Sequence, residues 1–254
     1  MCIFSLSQVP RYDHLPGLFA PRTLPPDYPP RLSPQTIPLT VSKVHSRPDC
    51  HITCQTRELS MKYPDTIQPD FSARDALPGV DPLQVSRWSP RAFVKTPINE
   101  ADLARLFEAA RWAPSCFNAQ PWQFYVSTDK TFNDYLHLLV EGNQAWAGDA
   151  SVLGFVVVKK TFAHNGKPNA YAEYDAGAAW MAMTLQARQM GLYTHGMAGI
   201  KHDEVASYLT LDDDHKVVCG FAIGVATTPD TLPDDIAAKE KPSPRKPLDE
   251  VWRR

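Results

Sequence analysis

The run SVLGFVVVK, residues 151–159, is apolar almost throughout and reads as a central strand buried on both faces. KVVCGFAIGVAT, residues 216–227, reads as a second buried strand, and QFYVS at 123–127 as a third. Helical patterns lie between them. Asn99 caps a helix whose acidic start, Glu100 and Asp102, suits the positive end, and whose apolar face is Leu103, Leu106, Phe107 and Ala110. It stops near Pro114. A second helix begins at Asp129, with Tyr135, Leu136 and Leu139 inward. Tyr193–Met197 is short and extended, and Asp203–Leu209 is a short helix. Helices and strands mix without a β-α-β rhythm, so the expected class is α+β rather than doubly wound.

The longest helix is Tyr171–Met190. Ala172, Ala176, Ala178, Ala179, Ala182 and Ala187 leave nearly its whole cylinder small or apolar, and Gly191 is its left-handed stop. A helix apolar all round needs cover on every side. It is read as the core of a homodimer interface, with burial inside one protomer as the alternative.

Composition sets the bounds. With 43% hydrophobic and 21% charged residues and a net charge of -2, the chain is an ordinary globular sequence with no global bias toward nucleic acid or an anionic membrane. No run reaches the roughly 18 apolar residues of a membrane span, and Met1–Leu6 has neither a basic start nor a sustained apolar core. Five cysteines in 254 residues do not make a disulfide framework, so the expected compartment is the cytoplasm.

Two regions divide the chain. Ten of its 24 prolines precede Met61, which prevents helix or ladder propagation. Residues 1–60 are therefore read as a Pro-rich disordered extension, or as upstream sequence from a misassigned start. Cys50 and Cys54 flank His51, with His45 nearby, but no second ligand pair stands at finger-like spacing. Residues 61–254 form the globular domain. Its ends are arms: Asp70–Val85 is an arm or short helix, and Thr228–Arg254 is a proline-interrupted extended tail.

No nucleophile elbow, zinc-binding His-Glu-x-x-His, phosphate loop or dinucleotide fingerprint is present. His195 could donate a proton or line a pocket, or simply be structural. Cys116 reads as a buried inert thiol rather than a nucleophile, and Asp212–Asp214 as a solvated turn. Two stretches have higher polar density. Arg87-Trp88-Ser89-Pro90-Arg91-Ala92-Phe93 sets two guanidinium groups about a hydroxyl, a donor set suited to phosphate or a polarised heterocycle edge. Pro114-Ser115-Cys116-Phe117-Asn118-Ala119-Gln120-Pro121-Trp122 displays hydroxyl and amide groups on a proline-bounded loop.

Together, Arg-x-Ser-x-Arg-x-Phe at 87–93 and Ala-Pro-Ser-x-x-Asn-x-Gln-Pro-Trp at 113–122 resemble the nitroreductase family of flavin mononucleotide (FMN) enzymes. Asn143 before Asp149-Ala150-Ser151, Gly191-Leu192, Met197-Ala198-Gly199 and Arg245-Lys246-Pro247-Leu248 agree in order and spacing. The resemblance covers roughly Val85–Val251. It implies a sandwich with a central, mostly antiparallel sheet flanked by helices, formed as an intertwined homodimer. It also implies an NAD(P)H oxidoreductase, using NADPH or NADH to reduce nitroaromatics, quinones or a related electrophile. Reductive dehalogenation, flavin consumption and non-catalytic FMN storage or sensing are the alternatives.

By the same resemblance, Arg87, Ser89 and Arg245 would hold the phosphate end, with Trp88 between them. Arg91 would lie near the pyrimidine edge, which Asn143 would hydrogen-bond. Ala198 and Gly199 would present backbone to the ring, and Pro114, Ser115, Cys116 and Asn118 would come from the other protomer. The flavin carries the chemistry, so no catalytic side chain and no metal is expected. Two positions depart from the family pattern: Ala198 stands where many members have Glu, and Trp146 where many have a basic residue.

Overall fold

The computed structural model describes residues 62–253, Pro64 excepted. The expectations for residues 1–60, including the cysteines at 50 and 54, lie outside the described residues. In chain order the elements are α1 (Pro82–Ser86), β1 (Phe93–Val94), α2 (Glu100–Arg111), β2 (Trp122–Val126), α3 (Phe132–His137), α4 (Glu141–Ala147), β3 (Val152–Lys159), α5 (Ala172–Gln189), β4 (Tyr193–Met197), α6 (His202–Tyr208), β5 (His215–Ala226), α7 (Asp234–Ala237) and α8 (Leu248–Val251).

β5 is the hub of a five-stranded sheet whose pairings are all antiparallel. It pairs with β3 from Val152↔Ile223 to Lys159↔His215, with a register shift between Val156 and Val157. β2 lies on the other side of β3, while β4 and then the two-residue β1 pair with the later part of β5. Because side chains alternate across a strand, β3 feeds two cores. Leu153, Phe155 and Val157 pack with Tyr135, Leu139 and Trp146 of the α3–α4 layer. Val152, Val156 and Val158 pack with Leu106 and Ala110 of α2 and with Ala176, Ala179 and Met183 of α5. The sandwich of sheet between helical layers is the α+β arrangement expected.

Asp102 secures the start of α2. Its backbone N–H bonds Asn99 Oδ1 at 2.9 Å, and its carboxylate accepts from Asn99 Nδ2 at 2.9 Å, a reciprocal cap. The side chain is fully buried yet also accepts from Lys62 Nζ, Arg105 Nη1 and the Tyr63 hydroxyl. Burial alone would raise its pKa, but the hydrogen bonds from Lys62 and Tyr63, with the nearby charges, hold it below the usual carboxylate range. This cluster pins Lys62 and Tyr63 to the domain. Tyr63 is fixed again at Gly191, whose φ of +88° closes α5; a Cβ there would lie 1.5 Å from the Tyr63 carbonyl oxygen.

The structure corrects several details. The helix expected from Asp129 begins at Phe132, because Thr128 and Thr131 bond each other in a turn first. The tail is not wholly extended: Pro233 and Pro247 each precede a single helical turn, α7 and α8. α5 is not apolar all round. Asp175 and Arg188 are buried in it, and Ala172, Ala176, Ala179, Met183 and Ala187 face the core. Tyr174, Gly177, Ala178, Met181 and Leu185 form an outward stripe that the protomer leaves exposed or half-buried. Burial inside one protomer therefore accounts for the inner face only. Among the described residues, no helix is long and apolar enough to cross a membrane, and no group of three or more His, Cys, Asp or Glu could hold a metal ion.

Asp102→Ala removes the acceptor shared by Tyr63, Asn99, Lys62 and Arg105 and orphans a buried hydroxyl. The expected cost is about 2 kcal/mol, read as a lowered denaturation midpoint with an unchanged slope in urea unfolding.

Candidate functional site

Residues 87–92 connect α1 to β1 in extended form, and burial alternates along them. Trp88, Pro90 and Ala92 point into the protein, leaving Arg87, Ser89 and Arg91 half-buried at its surface. The three outward side chains line a cleft of about 340 Å³. Arg74 enters it from the segment before α1, His195 from β4, and Lys239, Lys241, Ser243 and Arg245 from the tail between α7 and α8. Six cationic side chains thus converge from three stretches of chain, and no carboxylate is among the lining residues.

Two contacts hold the segments together. Arg74 donates to the carbonyl oxygens of Val85, Arg87 and Ser243, bracing the Arg87 segment against the tail. Glu240, from the tail, accepts through one carboxylate oxygen from the backbone N–H groups of Arg91 (2.6 Å) and Ala92 (2.8 Å). Its other oxygen stands 3.8 Å from the Arg91 guanidinium. Arg74 and Arg87 feel their positive neighbours. Burial pushes the pKa of Arg87 down, and repulsion from Arg245 pushes it further; Arg74 is lowered by burial and then by Arg245 and Arg87. The cleft is built for an anion with several oxygens. The Trp88 indole behind it is buried in the core, edge-on to Tyr193 with ring centroids 6.3 Å apart.

A second group assembles where β4 ends. Asn143, in α4, donates to the Gly199 carbonyl at 2.9 Å, as does the Val140 N–H at 3.1 Å. A Cβ on Gly199 would lie 2.6 Å from the Asn143 amide nitrogen, so any other residue there would displace the Asn143 side chain. Exposed Ala198 precedes it. His195 lies three residues earlier on the same strand, which places this backbone near one end of the cationic cleft. Trp146, one turn after Asn143, is buried and packs against His195, with ring centroids 4.6 Å apart. It belongs to the core and does not line the cleft.

The third predicted stretch lies elsewhere. Pro114, Ser115, Cys116 and Asn118 are absent from the cleft lining. Their loop contains three non-glycine residues with positive φ: Phe117 (52°), Asn118 (54°) and Gln120 (46°). Such backbone costs free energy and persists where surrounding contacts impose it. Here buried Asp175 of α5 accepts from the Cys116 N–H at 3.0 Å, and Ser115 Oγ accepts from the Gln120 N–H at 3.0 Å. The loop is therefore anchored to the same helix that carries the outward apolar stripe. Phe117 is 80% exposed. Cys116 is half-buried rather than buried as expected, because the loop stands off the core.

Sequence reasoning missed Arg74, Lys239, Lys241, Ser243 and Glu240 as parts of this cleft. They stand in proline-interrupted arms, where charge normally indicates solvation, and only the fold brings them to Arg87. Asp212–Asp214 is the turn expected: Asp212 accepts from the Asp214 N–H and pairs with His215, while Asp214 accepts from Thr161.

His195 is held neutral. Burial lowers its pKa from 6.5 to about 4, assisted by the Arg91 charge and opposed by the bond to Pro90. Between those pH values the unfolded chain binds a proton at this ring and the folded chain does not, so stability falls as pH drops through the window. The loss is complete below the folded value. His195→Gln should make the acid slope of unfolding free energy shallower by up to about 1.4 kcal/mol per pH unit, measured by urea unfolding across that window.

Three comparisons with known proteins agree with this geometry. The nitroreductase family model matches residues 85–140 and 133–225. A solved structure described as an oxidoreductase containing FMN is 42% identical and superposes with a TM-score of 0.69, covering 73% of this chain and 96% of its own. The 4-nitrobenzoate reductase of Pseudomonas putida is 26% identical over 58% of this chain and 85% of its own length. A nitroreductase family protein from Streptococcus pneumoniae, 19% identical, shares the fold with a TM-score of 0.57 over 68% of this chain and 98% of its own. By the extent of the family match and the 42% identical structure, this chain belongs to the nitroreductase family.

Proposed function

We propose that the protein is an FMN-dependent oxidoreductase of nitroreductase type, acting as a homodimer in the cytoplasm. It would take hydride from NADPH or NADH and pass it to a nitroaromatic, a quinone or a related electrophile. The observation that carries this reading is the convergence of six cations on one cleft whose lining supplies no carboxylate. A phosphate monoester dianion would offset part of that charge. The donor set fits FMN.

Each residue then has an assignable task. Arg87, Ser89 and Arg245 hold the phosphate, with Lys239 and Lys241 adding positive charge and Arg74 keeping the walls in register. Arg91 supplies a fixed positive charge for the pyrimidine edge, and Asn143, already tied to Gly199, orients its amide beside it. Ala198 and Gly199 would present main chain to the ring. FMN when bound supplies the acceptance and release of hydride, so the protein needs no nucleophile of its own. Donor and acceptor would use one open face in turn, which predicts ping-pong kinetics. Ala198 puts no carboxylate beside that face.

A second copy completes the site in this reading. Pro114, Ser115, Cys116 and Asn118 are held on a rigid loop away from their own protomer's cleft, joined through Asp175 to α5. The outward stripe of α5 and the exposed Leu77, Leu248 and Val251 are apolar surfaces that a partner would cover.

Purified full-length protein should be yellow, bleach anaerobically with NADPH or NADH, and recover its colour when a nitroarene or quinone is added. Colour without bleaching would favour a storage or sensing role, and failure to take up added FMN would sink the reading. Arg87→Ala combined with Arg245→Ala should weaken FMN binding at least a hundredfold, since a charged hydrogen bond contributes about 1.5–3 kcal/mol. Unchanged affinity would refute the phosphate assignment.

A further inference from the structure

We propose that His195 is a ligand-binding residue of the cationic cleft, where its Nε2 accepts a hydrogen bond from a hydroxyl on a sugar- or polyol-phosphate chain. The geometry fixes the ring's two nitrogens in different roles. Nδ1 lies 2.8 Å from the Pro90 carbonyl oxygen, which can only accept, so Nδ1 carries the hydrogen. In the neutral ring Nε2 then carries the lone pair. The ring lines the cleft and is backed by Trp146, which is 3% exposed and stacks in turn on Phe93 at 6.3 Å between centroids. With one nitrogen bonded and one face packed, the other nitrogen has a fixed direction.

The chemistry of the cleft gives that lone pair its value. Lining guanidinium and ammonium groups only donate, which suits a phosphate and offers nothing to a hydroxyl hydrogen. For a hydroxylated chain beside the phosphate, the cleft offers as side-chain acceptors the Ser89 and Ser243 hydroxyls and the more basic ring nitrogen of His195. A neutral imidazole supplies one without cancelling the positive field, as a carboxylate would. Burial and Arg91 keep the ring in that state. The inference rests on the FMN reading, because the ribityl chain of FMN is such a chain joined to a phosphate.

The test uses full-length apoprotein, with FMN binding followed by quenching of flavin fluorescence. Inorganic phosphate and ribose 5-phosphate are followed by the shift of the thermal midpoint with concentration. His195→Asn keeps a donor at the Nδ1 position for Pro90 but has no acceptor where Nε2 stood; His195→Gln places an amide oxygen within reach of that position. Wild type should bind ribose 5-phosphate more tightly than inorganic phosphate. His195→Asn should lose about tenfold in affinity for ribose 5-phosphate and FMN, the worth of one good hydrogen bond, and bind inorganic phosphate unchanged. His195→Gln should stay within about threefold of wild type. Equal binding of FMN by His195→Asn and wild type overturns the proposal. So does a parallel loss for inorganic phosphate, which would make His195 a brace for the Arg87 segment. Discrimination of ribose 5-phosphate from phosphate by a wild-type protein that refuses FMN would retire the flavin reading and leave this inference standing.

Discussion

Repulsion among like charges is the constraint around which the two ends of the described chain are arranged. Burial and then the neighbouring guanidinium groups, Arg245 among them, lower the proton affinity of Arg74 and Arg87, so holding the cations together costs free energy. The fold meets that cost with neutral acceptors and one remote carboxylate. Arg74 spends its donors on three carbonyl oxygens, and Glu240 binds main-chain N–H groups behind the cleft rather than entering it. Positive potential is thereby kept available to a ligand. The buried ladder of β3 and β5 supplies the rigidity that such an arrangement requires, since a soft scaffold would let the cations drift apart.

The division of labour follows from the two faces of that ladder. One face is closed by α3 and α4, and α4 also delivers Asn143 to the end of β4. The other is closed by α2 and α5, and α5 carries Asp175 under the loop at 115–120. Each helical layer therefore stabilises the core and positions a polar group at its rim. Asn143 and Asp175 are both anchored to main chain, so their directions are set by backbone geometry rather than by rotamer choice.

Much of this was legible in the sequence where a period operates over enough residues. β3 and β5 announced themselves as apolar runs, and α2 and α5 by spacing and caps, because burial imposes repetition on them. α4 escaped because only Trp146 and Ala147 of its seven residues are buried, too few to show a period. β1 escaped because it has two residues. At the site, the Arg87–Phe93 motif, Asn143 and Ala198–Gly199 were readable as a family pattern. Arg74 and the Lys239–Ser243 stretch were not, since convergence across more than 150 residues leaves no local mark. His195 was noticed without a role; its neutral state depends on Trp146 and Pro90, which only tertiary packing places beside it.

Glu240 has a structural corollary. Because its carboxylate grips the N–H groups of Arg91 and Ala92, the latch reads backbone and not side-chain identity. A change of side chain at Arg91 leaves both bonds in place, whereas Ala92 is fully buried and does not reach the cleft. Proline is the exception, since it lacks the hydrogen that the latch holds. What anchors the tail is thus separate from what the Arg91 side chain offers the cleft, so exchanging that side chain leaves both main-chain bonds of the strap in place.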